Sequence, residues 1–286
     1  MSTPVNTPHF FLYEDIVRRA LREDLGEAGD ITTDSIVSSS TRAKGLIFSR
    51  SPGRVAGIEV AVSIFRLLDS RVETQIQCND GTDVNPNDVL AQFQGEARAL
   101  LSSERTALNI LGRLCGVATA TNKIVQAIQG TSTKVVCTRK TTPALRVLEK
   151  YAVRVGGGFN HRFGLDDAVL IKDNHLNLVG GVKPAVLSVR KKIGHTVKIE
   201  VEVETLDQLE QAIELKVDAV LLDNMDRAKV VEAVQMVNGR LVVEVSGGIQ
   251  PENALELAVS GVDLLSVGWL THSASAMDLS FEVQSV

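Results

Sequence analysis

The segment 212–223, AIELKVDAVLLD, sets the reading of the chain. A stretch with helical spacing runs into an apolar, β-rich strand, DAVLL, that ends in Asp223. This unit is echoed twice. DAVLIKDN (167–174) repeats the strand and its tip, DAVLLDN (218–224). LAVSGVDLLSVG (257–268) repeats the whole unit at an offset of 45. The residue five past each aspartate differs: Lys172, Asp223 and Gly268. Strands that keep an apolar body and vary their C-terminal tips suit a barrel enzyme, whose chemistry sits at those tips.

Outward from these echoes the same rhythm continues. Short β-rich runs lie at 134–138, 152–155, 167–171, 197–203, 218–222, 241–246 and 262–267. Helical candidates lie between most of them, at 143–151, 182–193, 205–216, 226–237 and 251–260. Alternating strands and helices mean βα units and a parallel sheet. Seven runs suit a closed or nearly closed α/β barrel, with a doubly wound open sheet as the competitor. The chain before residue 134 reads differently. Residues 14–25 and 59–69 have helical periodicity. Segments 42–50, 54–58, 71–77 and 89–99 read as strands, with turns over 79–88. This is a mixed α+β region with antiparallel pairing. A long helix follows from Ser102 to about residue 129, in which Gly112 and Gly116 mark a kink or a tight crossing.

Composition narrows the function classes. The chain has 286 residues, which favours about two domains. Its net charge of −5 weighs against a general nucleic-acid binder. No apolar run approaches the roughly 18 residues needed to span a bilayer. The first residues lack the basic and apolar regions of a secretory signal. Three cysteines, Cys78, Cys115 and Cys137, without a CxxC pair argue against a disulfide framework and against a cysteine-rich zinc site. Together these features fit a cytoplasmic protein with neither a membrane nor a nucleic acid as partner.

Charge is unevenly placed. Residues 134–172 carry eight basic side chains against three acidic ones, whereas 200–226 carry nine acidic side chains and one lysine. On one barrel mouth this gives a cationic side suited to a polyanionic substrate. The anionic side suits a divalent metal, ribose hydroxyls or a developing cation. Exposed helix faces account for Arg146, Lys150, Glu210 and Glu214, but not for residues at strand ends. Thr138, Arg139 and Lys140 close one strand, His161 and Arg162 follow three glycines, and Lys172 closes another strand. Arginine forks bind carboxylates bidentately and lysine acts as a point charge, so this set suits a small dicarboxylate and a phosphate. His175 reads as structural.

Glu200, Glu202 and Glu204 share one strand face because the strand period is two. Carboxylates facing a barrel core are costly unless paired or near the mouth. Glu202, with Asp223 one βα unit later, forms the best pair. A glycoside-hydrolase pair is the generic reading of it, opposed by the scarcity of aromatics. Ser246-Gly247-Gly248 follows a strand and precedes a helix start at Pro251. Glycine backbones and a helix N-terminus favour an anion there. Gly268 sits on the next strand end, in the common arrangement for a barrel phosphate site.

These motifs together resemble the quinolinate phosphoribosyltransferase family, also called nicotinate-nucleotide pyrophosphorylase (carboxylating). The resemblance runs nearly end to end. It includes EDLGEAGDITTD (23–34), SERTALNILGRLCGVAT (103–119), the long segment TRKTTPALRV through IKDNH (138–175), IEVEVE (199–204), AVLLDN (219–224) and VSGGI (245–249). Cys115 stands where many relatives have serine.

The resemblance implies the type II phosphoribosyltransferase architecture: an N-terminal α/β sandwich domain over 1–116 and an incomplete, seven-stranded α/β barrel over 117–274, with a tail at 275–286 returning to the first domain. It implies a pentosyltransferase of NAD biosynthesis, moving phosphoribosyl from phosphoribosyl pyrophosphate to quinolinate. The products are nicotinate mononucleotide, pyrophosphate and CO2. Arg139, Arg162 and Lys172 would hold the quinolinate carboxylates, with Thr138 and His161 beside them. Lys140 would meet phosphate or pyrophosphate oxygens. Glu202 and Asp223 would face the ribose hydroxyls and Mg2+. Ser246, Gly247, Gly248 and Gly268 would hold the 5′-phosphate. Arg105 would reach the partner subunit's site in a homodimer with shared sites, with a hexameric arrangement of dimers as a larger form. A nicotinate-type phosphoribosyltransferase and a non-catalytic sensor of phosphate metabolites are the alternatives. Nicotinate has one carboxylate and needs fewer cations, and a sensor has no need of Glu202 and Asp223.

Overall fold

The computed structural model describes residues 5–286. In chain order the elements are α1 (Glu14–Leu25), α2 (Ile31–Ile36), β1 (Arg42–Ser49), β2 (Gly53–Arg54), α3 (Ile58–Leu68), β3 (Glu73–Ile76), β4 (Asp83–Val84), β5 (Val89–Glu96) and α4 (Ala97–Ala127). They continue with β6 (Lys134–Val136), α5 (Arg146–Val155), β7 (Val169–Ile171), α6 (Asp173–Val179), α7 (Val182–Arg190), β8 (Ile199–Val203) and α8 (Leu206–Glu214). The last are β9 (Ala219–Asp223), α9 (Arg227–Val237), β10 (Val242–Ser246), α10 (Pro251–Ala258), β11 (Leu264–Ser266), α11 (Trp269–His272) and β12 (Leu279–Ser285).

Two compact units emerge. One contains the chain up to Asn122, Thr141–Gly157 and Trp269–Val286, and the other contains Lys123–Lys140 and Gly158–Gly268. These units divide the chain differently from a single cut after residue 116. The end of α4 goes with the second unit, and α5 and α11 go with the first.

In the first unit, an antiparallel sheet runs in the order β12-β1-β5-β3. Alternate residues of β1 (Ala43, Gly45, Ile47 and Ser49) are buried, as the pleat dictates. Phe65, Phe93 and Phe281 cluster, with Phe65 centroids 4.2 Å from Phe93 and 5.4 Å from Phe281. The tail strand β12 pairs with β1 from Ala43↔Ser285 to Ser49↔Leu279. Gly112 and Gly116 on α4 admit this returning tail. A Cβ at 116 would collide with the Ser275 carbonyl oxygen, and one at 112 would lie 2.8 Å from that of Met277. Of the two readings for these glycines, the structure shows the tight crossing.

Three segments of this unit depart from the sequence reading. Residues 152–155, expected as a strand, form the end of α5. The apolar residues Leu148, Tyr151, Ala152 and Val155 recur at helical spacing in the sequence, and that period outweighs the β preference of the valines; burial runs unbroken from Leu148 to Val153. Lys150, expected on an exposed helix face, is fully buried, as is Glu149. Glu149 accepts hydrogen bonds from Arg113 Nε at 3.0 Å and from Thr142 N and Oγ1 at 2.9 and 2.7 Å. The expected strand at 54–58 shrinks to β2, because Asp80 accepts the N–H groups of Gly57 and Ile58 and caps α3 there.

The second unit holds a parallel sheet in the order β6-β11-β10-β9-β8-β7. Consecutive strands are neighbours and the last lies beside the first. This is the cyclic order of a barrel, without the order reversal of a doubly wound sheet. Seven strand positions were expected. Six are strands; the seventh, expected at 152–155, is helical, and the free edge of β6 carries instead a single parallel bridge, Val136↔Phe159. The glycine-rich segment at 156–158 supplies no apolar run to extend it. Val201, Val203, Val220, Leu222, Val243, Val245 and Leu265 are all buried. The residues alternating with them include Glu200, Glu202, Asp223, Glu244 and Ser246. Register aligns Glu202, Leu221, Glu244 and Leu264 in one layer, with Asp223, Ser246, Ser266 and Val136 in the next. The polar residues thus climb one face of the sheet toward its C-terminal rim.

Candidate active site

Parallel strands place all their C-terminal tips on one rim, and most of the expected site residues of the second unit fall there. After β6, Thr138 Oγ1 accepts the Lys140 N–H at 3.0 Å, folding the tip so that Lys140 is exposed beside Arg139. After the bridge at Phe159 come His161 and Arg162. Arg162 Nη1 donates to the Ala168 carbonyl at 2.8 Å. Its Nε is buried and has no hydrogen bond among the described residues. Burial, and then the charge of neighbouring Arg139, pull the Arg162 guanidinium below the usual arginine range. A buried donor of this kind calls for an acceptor, and half of the guanidinium fork is left to meet one.

Lys172, at the tip of β7, places Nζ 3.0 Å from Glu202 Oε2. The resemblance assigns Lys172 to a substrate carboxylate, but here it pairs with the β8 glutamate. His175 Nδ1 accepts the Lys172 N–H at 2.9 Å at the start of α6. Of the three glutamates read onto one face, only Glu200 and Glu202 lie within β8. Glu204 is beyond the strand and exposed, and its N–H is taken by Gln208 Oε1.

Asp223 ends β9, and its Oδ2 accepts from Asn224 Nδ2 at 2.9 Å. Asn224, not singled out from the sequence, has φ +52° and donates its N–H to the Ser246 carbonyl at 3.0 Å. It ties the tips of β9 and β10 together. The DN pair in both strand echoes was the available signal. After Ser246, Gly247 and Gly248 have φ of +106° and +58°. A Cβ at 247 would strike the Asn224 side chain. Asn253 donates from Nδ2 to the Gly248 carbonyl at 3.0 Å, binding the loop to the start of α10. The loop and helix N-terminus form an anion-favouring corner. Gly268 closes the next tip, one residue after Val267, whose N–H bonds Val136. Arg105 belongs to the first unit, on α4, where it is 63% exposed and 3.6 Å from Glu104.

The rim therefore carries a cationic arc of Arg139, Lys140, Arg162 and Lys172, carboxylates on the adjoining strands and a glycine loop beyond them. A parallel barrel with these three features defines an enzyme that handles phosphorylated, multiply anionic substrates.

Comparison with known proteins narrows the class. Residues 30–115 match the N-terminal domain of quinolinate phosphoribosyltransferases and residues 117–282 match the C-terminal domain. The chain belongs to this family. It is 42% identical to a probable nicotinate-nucleotide pyrophosphorylase (carboxylating) of Methanocaldococcus jannaschii, over 94% of this chain and 96% of that one. It is also 42% identical to the Mycobacterium leprae protein of that name, at the same coverage. The crystal structure of NadC from Streptococcus pyogenes matches at a TM-score of 0.95 and 38% identity, covering 98% of this chain and 99% of that one. A human nicotinic acid phosphoribosyltransferase, at 12% identity and a TM-score of 0.63, shares the fold alone.

Proposed function

We propose that the chain transfers phosphoribosyl from phosphoribosyl pyrophosphate to quinolinate with loss of CO2, giving nicotinate mononucleotide. The observation that carries the site assignment is Arg162, a desolvated guanidinium beside Arg139 with a buried, unpartnered Nε. Two neighbouring guanidinium groups repel each other, and an anionic substrate relieves that repulsion. Quinolinate offers two carboxylates, to be held by Arg139 and Arg162 with Thr138 and Lys172 nearby. Lys140 faces phosphate or pyrophosphate oxygens. Ser246, Gly247, Gly248 and Gly268 take the 5′-phosphate.

Held in this way, the quinolinate nitrogen is positioned against the anomeric carbon. The N-glycosidic bond forms as the bond to pyrophosphate breaks. The transition state is oxocarbenium-like, as in glycoside hydrolysis, and the carboxylates of Glu202 and Asp223 stabilise its positive charge. Release of Lys172 from Glu202 would let the lysine turn to the substrate and free the carboxylate. The new pyridinium accepts the electron pair left when the 2-carboxylate departs as CO2, and C2 then takes a proton from water.

Glu202 and Asp223 also fit Mg2+. They are hard oxygen donors on adjacent strands, and Mg2+ is commonly held by one or two carboxylates plus substrate phosphates. When bound, Mg2+ would neutralise the charge of the departing pyrophosphate. The same reading makes the active unit a homodimer in which Arg105 completes the partner's site, located in the cytoplasm. The negative net charge favours small-molecule substrates over nucleic acid.

Calorimetry tests the assignment. Arg139→Ala and Arg162→Ala should each weaken quinolinate binding by about 1.5–3 kcal/mol, the worth of a charged hydrogen bond, and leave phosphoribosyl pyrophosphate binding nearly intact. Unchanged quinolinate affinity in both variants would remove the arginines from the site.

A further inference from the structure

His161 has both ring nitrogens engaged within the second unit. Nδ1 accepts the backbone N–H of Arg162 at 2.8 Å. A nitrogen that accepts carries no proton, so in the neutral ring the proton is on Nε2. Nε2 lies 2.9 Å from Glu200 Oε2 and 3.7 Å from Glu244 Oε1. Glu244 is 1% exposed, and that oxygen has no hydrogen bond among the described residues. Three elements meet here: the segment after the bridge at Phe159, β8 through Glu200 and β10 through Glu244.

One histidine and two glutamates, with ligand atoms all within 4.8 Å of one another, could hold a metal ion. The ring argues against it. A metal on Nε2 would move the imidazole proton to Nδ1, where it would face the Arg162 N–H donor to donor. The hydrogen bond at Nδ1 thus selects a proton on Nε2. Burial, and then the Glu200 carboxylate, push the Glu244 carboxyl well above the usual carboxylate range.

Arg162 needs such an anchor. It follows a glycine-rich segment and a single bridge rather than a strand ladder, and the charge of Arg139 repels its guanidinium. We propose that His161 is a positioning residue, held by its hydrogen bond to Glu200, that fixes the Arg162 backbone and so aims the guanidinium at a quinolinate carboxylate. The inference rests on the assignment of Arg162 to that carboxylate. It replaces the direct substrate contact that the family resemblance implies for His161.

Steady-state kinetics with both substrates test it. Glu200→Leu should raise the quinolinate KM about tenfold, near 1.4 kcal/mol, with the phosphoribosyl pyrophosphate KM little changed. Glu200→Gln, whose amide oxygen can still accept the Nε2 proton, should bring the quinolinate KM back close to wild type. Arg162→Ala, measured alongside, separates the two layers of the argument. If it leaves the quinolinate KM unchanged, the substrate assignment and the inference fall together. If it raises the KM and Glu200→Leu does not, the inference alone is overturned. Glu200→Gln behaving as badly as Glu200→Leu would also overturn it. Should the variants fail to fold, 15N spectra of the wild-type protein decide: near neutral pH the His161 ring should show one bare and one protonated nitrogen. Two protonated nitrogens, or a proton on Nδ1, would overturn the inference.

Discussion

Glu244 shows how far surroundings can change a side chain's chemistry. Desolvation first, and then the Glu200 charge, push its carboxyl up to about 8, against the pull of His161 and a hydrogen bond from Ser266. The sign of the consequence follows. Unfolding returns the group to its ordinary value, so between the two values the folded state binds more protons and stability falls as pH rises. This contribution is intact below the ordinary carboxylate range and is lost as pH rises through about 8. His161 and Glu200 also face Glu244, so the wild-type melting curve sums several titrations. The comparison with Glu244→Gln isolates one of them. The variant should lose less thermal stability than the wild type between mildly acidic and mildly alkaline pH. Parallel pH profiles of Tm would show that Glu244 is ionised throughout. Cys115, the position where many relatives have serine, is simpler. Desolvation by full burial pushes its thiol up to about 12, against a hydrogen bond with the Ala56 backbone, and leaves it a packing group.

At the scale of elements, α4 and the returning tail make the most demanding fit. The tail backbone passes so close to Gly116 that no side chain fits between them. Gly116→Val should cost about 1–3 kcal/mol or more, the usual range for overpacking a filled site. Chemical denaturation would read this as a lower midpoint with an unchanged slope. A midpoint equal to wild type would mean that the tail is not seated on α4. The sequence hinted at this contact, because two glycines four apart in a long helix require an explanation. It could not show what crosses there, because the partner lies some 160 residues away in the chain. The βα rhythm was legible because period and echo are local properties. The end of α5 was not, because four residues such as AVRV fit both periods until the helix before them and the core beside them decide. The site followed the same rule. Strand-tip residues such as Arg139, Lys172 and Asp223 could be picked out by position. Glu244 reads as one more residue in a strand, and its approach to His161 exists only once β8, β9 and β10 lie in one sheet.

At the scale of the whole molecule, the proposal of shared sites makes a prediction that no single chain can satisfy. Arg105 is exposed on α4, with Glu104 as its ion-pair partner among the described residues. If it acts in the partner's site, Arg105→Ala and Lys172→Ala chains are each inactive alone and complement one another when mixed. In a mixed dimer one site carries both lesions and the other carries neither, so up to about half of the wild-type activity should return under two-fold symmetry. Verified heterodimers without activity would place Arg105 in its own chain's site or outside any site.

The central claim is the chemistry at the barrel rim, and its most direct test is pyrophosphate release from phosphoribosyl pyrophosphate and Mg2+ with quinolinate, with nicotinate or with neither, with CO2 followed in parallel. The account predicts release with quinolinate, one CO2 for each pyrophosphate, and little release with nicotinate or with neither, because one carboxylate cannot engage both arginines. Equal rates with nicotinate, or no turnover of quinolinate by the folded protein, would contradict it.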